Sequence, residues 1–532
     1  MLQPVMHEPL SRIGRRVVTG LALLLLFRIA MLLWLAERGV GLHVDEAQYW
    51  WWSSDLQWGY FSKPPGIAAL IGLSTTLFGD SETGIRALPA LCWMVAAWAL
   101  WSLGCAMRSP RAGAWAALLL CVSVASNWLG MVATTDAWLM MFWALAMRLT
   151  WHAQTLPEGA SAWRRAARWA LAGGLMGMAV MGKYTAAALF VSWAWLGWLR
   201  RAPLTGVEAL AASQAPRPGD LLMAAVAAAL VVSPHLLWNL LNDWPTLRHT
   251  AEITLQGGAA AAIEGPRTVL DRLRSFAEFF AGQWLLAGPA LAAVLLFAAF
   301  GRGASTLSTA LMDRRVRWAL AFAVPLLLIG CLQALHAKAQ VNWALPMLLG
   351  LCLAAGLWID QGRIRTSLVL ALGGITVALT AAISLHGDAR LWRTPEPKPG
   401  APDVWGRMRG WSDAFAALQP ALRAHPGLLV VAADRSVIAQ AVYAWRAEGR
   451  RFASWSPTGS IRHHFDWKLP LPERSGAQAQ CSVLFVDNEV PAQFMPGAVR
   501  TPIARARAGR IDLSLWKVSL PPGSGACGPA AQ

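Results

Sequence analysis

Apolar runs of about 20 residues, almost free of charge, recur along this chain, and no other feature restricts its folding as much. A helix of that length and composition is what crosses the hydrocarbon of a bilayer. Eleven such runs lie near residues 17–36, 87–106, 113–130, 137–150, 169–181, 185–199, 221–240, 276–300, 318–335, 343–359 and 367–384. The fourth to sixth are short. In lipid a segment must satisfy its own backbone amides, so these runs are expected to be helices. Of 532 residues, 56% are apolar and only 14% are charged, against about 25% charged in an average soluble chain. That excludes an ordinary soluble enzyme, and the high apolar content excludes a disordered chain. The first run is longer than a signal-peptide core and no small-residue cleavage site follows it, so it is expected to remain as an anchor.

The formal net charge is +17. Without a nucleic-acid-binding signature or a basic tail, the excess is read as basic loops against an anionic bilayer, and no nucleic-acid partner is expected. Arginine clusters at 12–16, 108–111, 148–168, 200–217, 302–317 and 363–365 all fall on one side if eleven spans are counted. The positive-inside rule makes that side cytoplasmic, with the N-terminus on it and the tail from about residue 386 outside the cytoplasm. The expected fold is therefore mainly α. A polytopic bundle of about eleven spans occupies residues 1–385, with external loops at about 37–86 and 241–275.

Residues 386–532 differ in character. After the Pro-rich stretch 394–402 come strand-like runs at 427–433, 481–486 and 511–518, with a helical pattern at 436–449. This predicts a small α/β domain. Cys92, Cys105, Cys121, Cys331 and Cys352 lie in or beside spans and are expected to be packing residues. Cys481 and Cys527 share the tail, where a disulfide is chemically permitted.

The first external loop is the most informative stretch. It contains His43-Val-Asp-Glu-Ala-Gln-Tyr-Trp-Trp-Trp52, Gly59-Tyr-Phe-Ser-Lys-Pro-Pro-Gly66 and Phe78-Gly-Asp-Ser-Glu-Thr-Gly-Ile-Arg86. Acids directly after a span are costly unless they face water or a partner. Asp45 and Glu46 either cap an interfacial helix or form part of a site. Lys63 precedes two prolines, which stiffen the backbone that carries it. Its ammonium either snorkels to headgroups or clamps a phosphate. The tryptophans are expected to form a belt at the membrane surface.

Asp45-Glu-Ala-Gln-Tyr49, Tyr60-Phe-Ser-Lys-Pro-Pro65 and 78–86 resemble the first-loop signature of the bacterial protein-mannosyltransferase/aminoarabinose-transferase-like family. Further strings extend the resemblance through residues 17–385: Thr134-Thr-Asp-Ala137, Met181-Gly-Lys-Tyr184, Ser233-Pro-His-Leu-Leu-Trp-Asn239, Asp243-Trp244, Arg248-His249, Gly282-Gln283 and Asn342-Trp-Ala-Leu-Pro346. The resemblance implies a C-type membrane glycosyltransferase fold, a polyprenyl-phosphate sugar donor and inversion at the anomeric carbon. It assigns Asp45 and Asp136 to catalysis and Lys63 to the donor phosphate. Ser62 stands where the aminoarabinose transferases commonly carry an acid, which leaves the sugar and acceptor open.

Transfer from a lipid phosphate needs a base for the acceptor and cations for the leaving phosphate. Besides Lys63, the candidates for substrate binding are Glu46, Tyr60, Arg86, Lys183, Tyr184, Arg248, His249 and Lys338. Each has a plainer alternative. Asp136 fits a helix N-terminus, Lys183-Tyr184 a turn, and Lys338 a steering charge at a span end. The chemistry requires no cofactor and no metal site is assigned; a divalent cation held by Asp45, Asp136 and His249 is compatible with it. The acceptor is a lipid, a glycan or a protein of the envelope. The alternative function is a transporter or flippase of lipid-linked sugars. Transporters show repeated halves and broken helices at midplane, whereas the acids here gather in external loops.

Overall fold

The computed structural model describes residues 12–157, 159–199, 216–255, 267–300, 313–362, 364–386, 403–472 and 482–520. The possible Cys481–Cys527 pairing lies outside them. The chain gathers into two compact units. One takes the described residues up to Ala30, Lys63–Leu70 and Arg86–Ala382; the other takes Met31–Ser62, Ile71–Ile85 and the described residues from Ile383 onward.

The first unit is helical. Every one of the eleven apolar runs lies on helix. Among the described residues, six helices are long and apolar enough to cross a membrane: Arg12–Glu37, Glu82–Met107, Pro218–Leu241, Val269–Phe300, Arg314–His336 and Thr366–Leu385. The other runs fall on shorter apolar helices, Pro110–Val122, Tyr184–Gly197 and Met347–Ile359, and on Thr135–Gln154 and Ala162–Val180. Gly66–Phe78, inside the expected external loop, is also an apolar helix, though its 13 residues are too few to span.

The run at 113–130 breaks in two at Ser123, which is extended and whose hydroxyl accepts the Ser126 amide at 3.1 Å. The break serves Arg28, which is buried and donates from Nη2 to both Ser126 O (2.8 Å) and Ser126 Oγ (2.6 Å). This arginine is thus paired inside the bundle. Helix Val269–Phe300 is interrupted at Gly288, with φ +76°, just before Pro289. Small residues bring helices together elsewhere: a Cβ on Gly104 would lie 2.4 Å from Gly113 Cα, so the two backbones touch as in other membrane helix pairs. Leu23, Leu26, Phe27 and Leu33 of the first helix are exposed, a face that acyl chains solvate and water does not. Cys92, Cys121 and Cys352 are buried and Cys105 and Cys331 half-buried, all as free thiols.

The second unit is built on a five-stranded sheet of β1 (Leu429–Ala432), β2 (Phe452–Ser454), β3 (Ser482–Asp487), β4 (Val499–Ala508) and β5 (Ile511–Ser519). Its order is β2-β1-β3-β5-β4. β1 pairs in parallel with β2 and β3, and β5 runs antiparallel between β3 and β4. One face packs Leu429, Val431, Val483, Phe485, Phe494 and Val518. The three strand-like runs are β1, β3 and β5. The helical pattern becomes Arg435–Ala444 plus a short 3₁₀ turn, Arg446–Glu448, stopped at Gly449 with φ +61°. β4 has no apolar alternation to reveal it. It is an edge strand, mostly exposed, with a register shift between Pro502 and Ala504, where a proline costs no ladder bond.

Candidate active site

In the helical unit, residues from strings far apart in sequence meet. Asp136 lies in the first turn of Thr135–Gln154, buried. Lys183 precedes the 3₁₀ turn Tyr184–Ala187. Its Nζ donates to Asp136 Oδ1 at 2.8 Å and to Asn342 O at 3.4 Å, and Asn342 Nδ2 donates to Asp136 Oδ2 at 2.8 Å. Both carboxylate oxygens are therefore engaged, and the pair is almost wholly out of water.

Residues of neighbouring strings bond positions adjacent in the chain to this network. Gln283 Nε2 donates to Val341 O at 3.0 Å, next to Asn342. Tyr184 Oη lies 2.6 Å from His235 Nε2, and Asn239 Nδ2 lies 3.2 Å from the same ring nitrogen. The Lys63-Pro-Pro-Gly66 segment joins through Gly66 N–H, which donates to Met181 O at 2.7 Å, two residues before Lys183. Only glycine fits there, since a Cβ on Gly66 would sit 2.8 Å from Met181 O and 3.0 Å from the Trp138 ring. Lys63 itself is half-buried.

In the second unit, Asp45 lies in the first turn of helix Val44–Ser53. Its Oδ1 accepts Arg435 Nη2 at 2.7 Å, and its Oδ2 is 3.7 Å from His43 Nδ1. Glu46 is buried and its Oε2 accepts the His43 amide at 2.8 Å, closing a capping box. Glu46 thus fills the plainer role weighed for it. Tyr60 is buried flat against Trp52, with ring centroids 4.4 Å apart. Its hydroxyl accepts the Gln57 amide and faces the carbonyls of Trp52 (3.0 Å) and Asp55 (3.1 Å). Burial pushes that hydroxyl up to about 12, so it stays protonated and holds the loop.

The tryptophans do not form a surface belt. Trp52 is buried, Trp51 stacks on Phe465 at 4.8 Å, and Trp50 meets Tyr443 edge-on at 4.9 Å and donates to Asp80 at 2.6 Å. Aromatic partners from the tail hold Trp50 and Trp51 half-buried, and ring-on-ring packing of this kind adds to the burial itself. His464 sits among Trp51, Trp52 and Tyr60, and its Nδ1 accepts the Phe61 amide at 3.3 Å. The string 462–466, which looked like an ordinary polar loop, is thus a clasp on the first loop.

Burial pulls the imidazoles of His464 and His463 down to about 3 and about 4. Both are neutral in the fold. A base whose folded value lies below its unfolded one stabilises fully above about pH 6.5 and loses that contribution as pH falls toward the folded value. Hydrogen exchange on the whole protein is expected to show 44–61 and 462–468 opening more readily at pH 5 than at pH 7, after correction for intrinsic rates. His464→Phe, which keeps a ring and has no proton to gain, is expected to blunt the effect; equal opening at both pH values would refute it.

Arg86 is buried near the start of helix Glu82–Met107. Arg248 is exposed and His249 half-buried on helix Pro245–Leu255, and Lys338 is exposed just after helix Val324–His336. No hydrogen bond or ion pair among the described residues ties Arg248 or Lys338 to the Asp136 network. Among the described residues, no three His, Cys, Asp or Glu side chains cluster as metal ligands would. Two members of the sites carried no sequence signal for the part they play. Asn342 lies in a quoted string, but its bond to Asp136 spans 206 positions; Arg435 reaches Asp45 across 390.

Known proteins are similar to this chain in sequence and fold. A family described as dolichyl-phosphate-mannose-protein mannosyltransferase matches residues 62–238. The lipid A galacturonosyltransferase RgtD of Rhizobium johnstonii is 30% identical over 464 residues, covering 85% of this chain and 88% of that protein. The crystal structure of ArnT from Cupriavidus metallidurans in the apo state aligns over 96% of this chain and 99% of its own, with TM-score 0.57 and 15% identity. The structure of that protein bound to undecaprenyl phosphate aligns with the same coverage, TM-score and identity. The transporter alternative finds no support among them. With its spanning helices, the protein is a multi-pass inner-membrane protein, and the chain belongs to the protein-mannosyltransferase/aminoarabinose-transferase-like family of membrane glycosyltransferases.

Proposed function

We propose that this chain moves a glycosyl unit from a polyprenyl-phosphate donor to lipid A or a related envelope acceptor, with inversion at the anomeric carbon. The acceptor oxygen attacks C1, the C1–O bond to the phosphate breaks, and its electron pair leaves with the polyprenyl phosphate. The acceptor proton passes to Asp45. Lys63 neutralises the leaving phosphate, Lys183 of the same helical unit is a second cation for it, and Arg86, Arg248, His249 and Lys338 are secondary cations for anionic lipid. Asp136 holds Lys183 in place. The monophosphate leaving group requires no cofactor, because lysine ammonium groups supply the positive charge. The N-terminus lies in the cytoplasm and the sheet domain in the periplasm, where such acceptors are modified.

One observation carries the proposal. Asp136, Lys183 and Asn342 are held as one network inside an apolar bundle, and Gly66 and Gln283 bond the residues Met181 and Val341 close by in the chain. Burying ions is costly, and a bundle built only for stability replaces them with apolar side chains. The 30%-identical relative is a lipid A galacturonosyltransferase, which supports lipid A as the acceptor.

The test is transfer by the purified protein in lipid, with a radiolabelled polyprenyl-phosphate sugar and lipid A. Label is expected in lipid A, undiminished by EDTA. A well-folded preparation that transfers to no envelope lipid, across hexose and hexuronic acid donors, would overturn the proposal; loss of transfer in EDTA would make the cation a requirement.

A further inference from the structure

We propose that Arg435, from the sheet domain, is a positioning residue for the catalytic carboxylate Asp45. The inference rests on the transferase role given to Asp45 above. Arg435 Nη2 holds Asp45 Oδ1 at 2.7 Å. The other oxygen, Oδ2, lies 3.7 Å from His43 Nδ1, which accepts the Asp45 amide at 3.3 Å. One oxygen is thereby fixed and the other presented to an acceptor hydroxyl.

Stability does not explain this pair. The two side chains are 36% and 41% exposed, and an ion pair so open to water adds little to folding. The two helices are held together by other means: Trp50 packs on Tyr443, and Gln440 Nε2 donates to Leu42 O at 2.7 Å, where the first loop begins. Arg435 also occupies the first turn of its helix, behind the Asp434 cap. A cation is disfavoured at that end by the helix dipole. What the arginine gains there is Asp45. The exposure that makes the pair weak as a brace leaves the carboxylate accessible to substrate.

A carboxylate that can rotate spends much of its time with the wrong lone pair toward the acceptor, and fixing it raises the rate without altering donor affinity. The consequence is that the sheet domain takes part in the chemical step.

The experiment uses the full-length protein in lipid with the assay above. Arg435→Ala is expected to lower kcat about 10–100-fold with the donor KM unchanged, and millimolar methylguanidinium is expected to restore part of the loss. Arg435→Gln, which keeps an amide donor toward Asp45, supplies the same readout if the alanine variant does not fold, with a smaller fall in kcat. Unchanged or increased kcat in either variant would overturn the inference. So would a raised donor KM at constant kcat, which marks a substrate ligand, or a loss that methylguanidinium leaves untouched. Wild-type protein without transfer overturns the proposed function along with it, whereas wild-type transfer beside an unaffected Arg435→Ala overturns this inference alone.

Discussion

Asp45→Asn is expected to lower transfer about 10²–10⁴-fold, the range that loss of a general base produces. Asparagine keeps the shape and leaves an oxygen for Arg435, so the contact at Oδ1 survives. What is lost is the capacity to take the acceptor proton. The fold is expected to tolerate the change: Asp45 is 41% exposed, and a carboxylate in a first helical turn contributes about 0.3–1 kcal/mol through the dipole. Initial rates over a range of donor concentrations check the prediction. A large fall in kcat at constant KM supports the base; near-normal kcat removes Asp45 from the chemistry.

The second large effect is on stability as well as rate. Asp136→Ala removes the partner of a lysine that is itself buried. Breaking such a pair from one side costs about 3–5 kcal/mol, because a charge is stranded in low dielectric. Asn342 Nδ2 loses its acceptor in the same substitution. The variant is expected to unfold at markedly lower temperature in detergent and to transfer nothing. Replacing both ions, with Asp136→Leu and Lys183→Met, is expected to recover most of the lost stability, since the stranded charge is gone. Transfer is expected to stay low, because the cation proposed for the leaving phosphate is gone too. Thermal unfolding and the transfer assay on both variants separate the two roles. A double variant as active as wild type would make the pair purely architectural.

The candidate site was legible in part. Asp45 and Glu46 stood out because acids directly after an apolar run need a reason, and Asp136 through the resemblance. The Lys-Pro-Pro-Gly segment stood out because its backbone is stiff. Which partners those residues take was not legible. Lys183 could have been a turn residue until the fold set it against Asp136, and Glu46 and Tyr60, both plausible ligands, are engaged by the first loop's own backbone. The tryptophans misled in an instructive way. A Trp-rich amphipathic segment next to a span has the composition of an interfacial belt, and composition does not record that Phe465 and His464 lie against it.

Hydropathy alone placed all eleven helical runs, a helix at 436–449 that forms over 435–444, and three of the five strands. These follow from periodicity and solvent, which act over a turn or two of chain and leave a mark in every window. Folding chose the rest: the break at Ser123 that receives Arg28, the edge strand β4, the network around Lys183 and the arginine on Asp45. Each joins residues tens to hundreds of positions apart. A local pattern carries no trace of such a contact, because its energy exists only once both segments have been brought together.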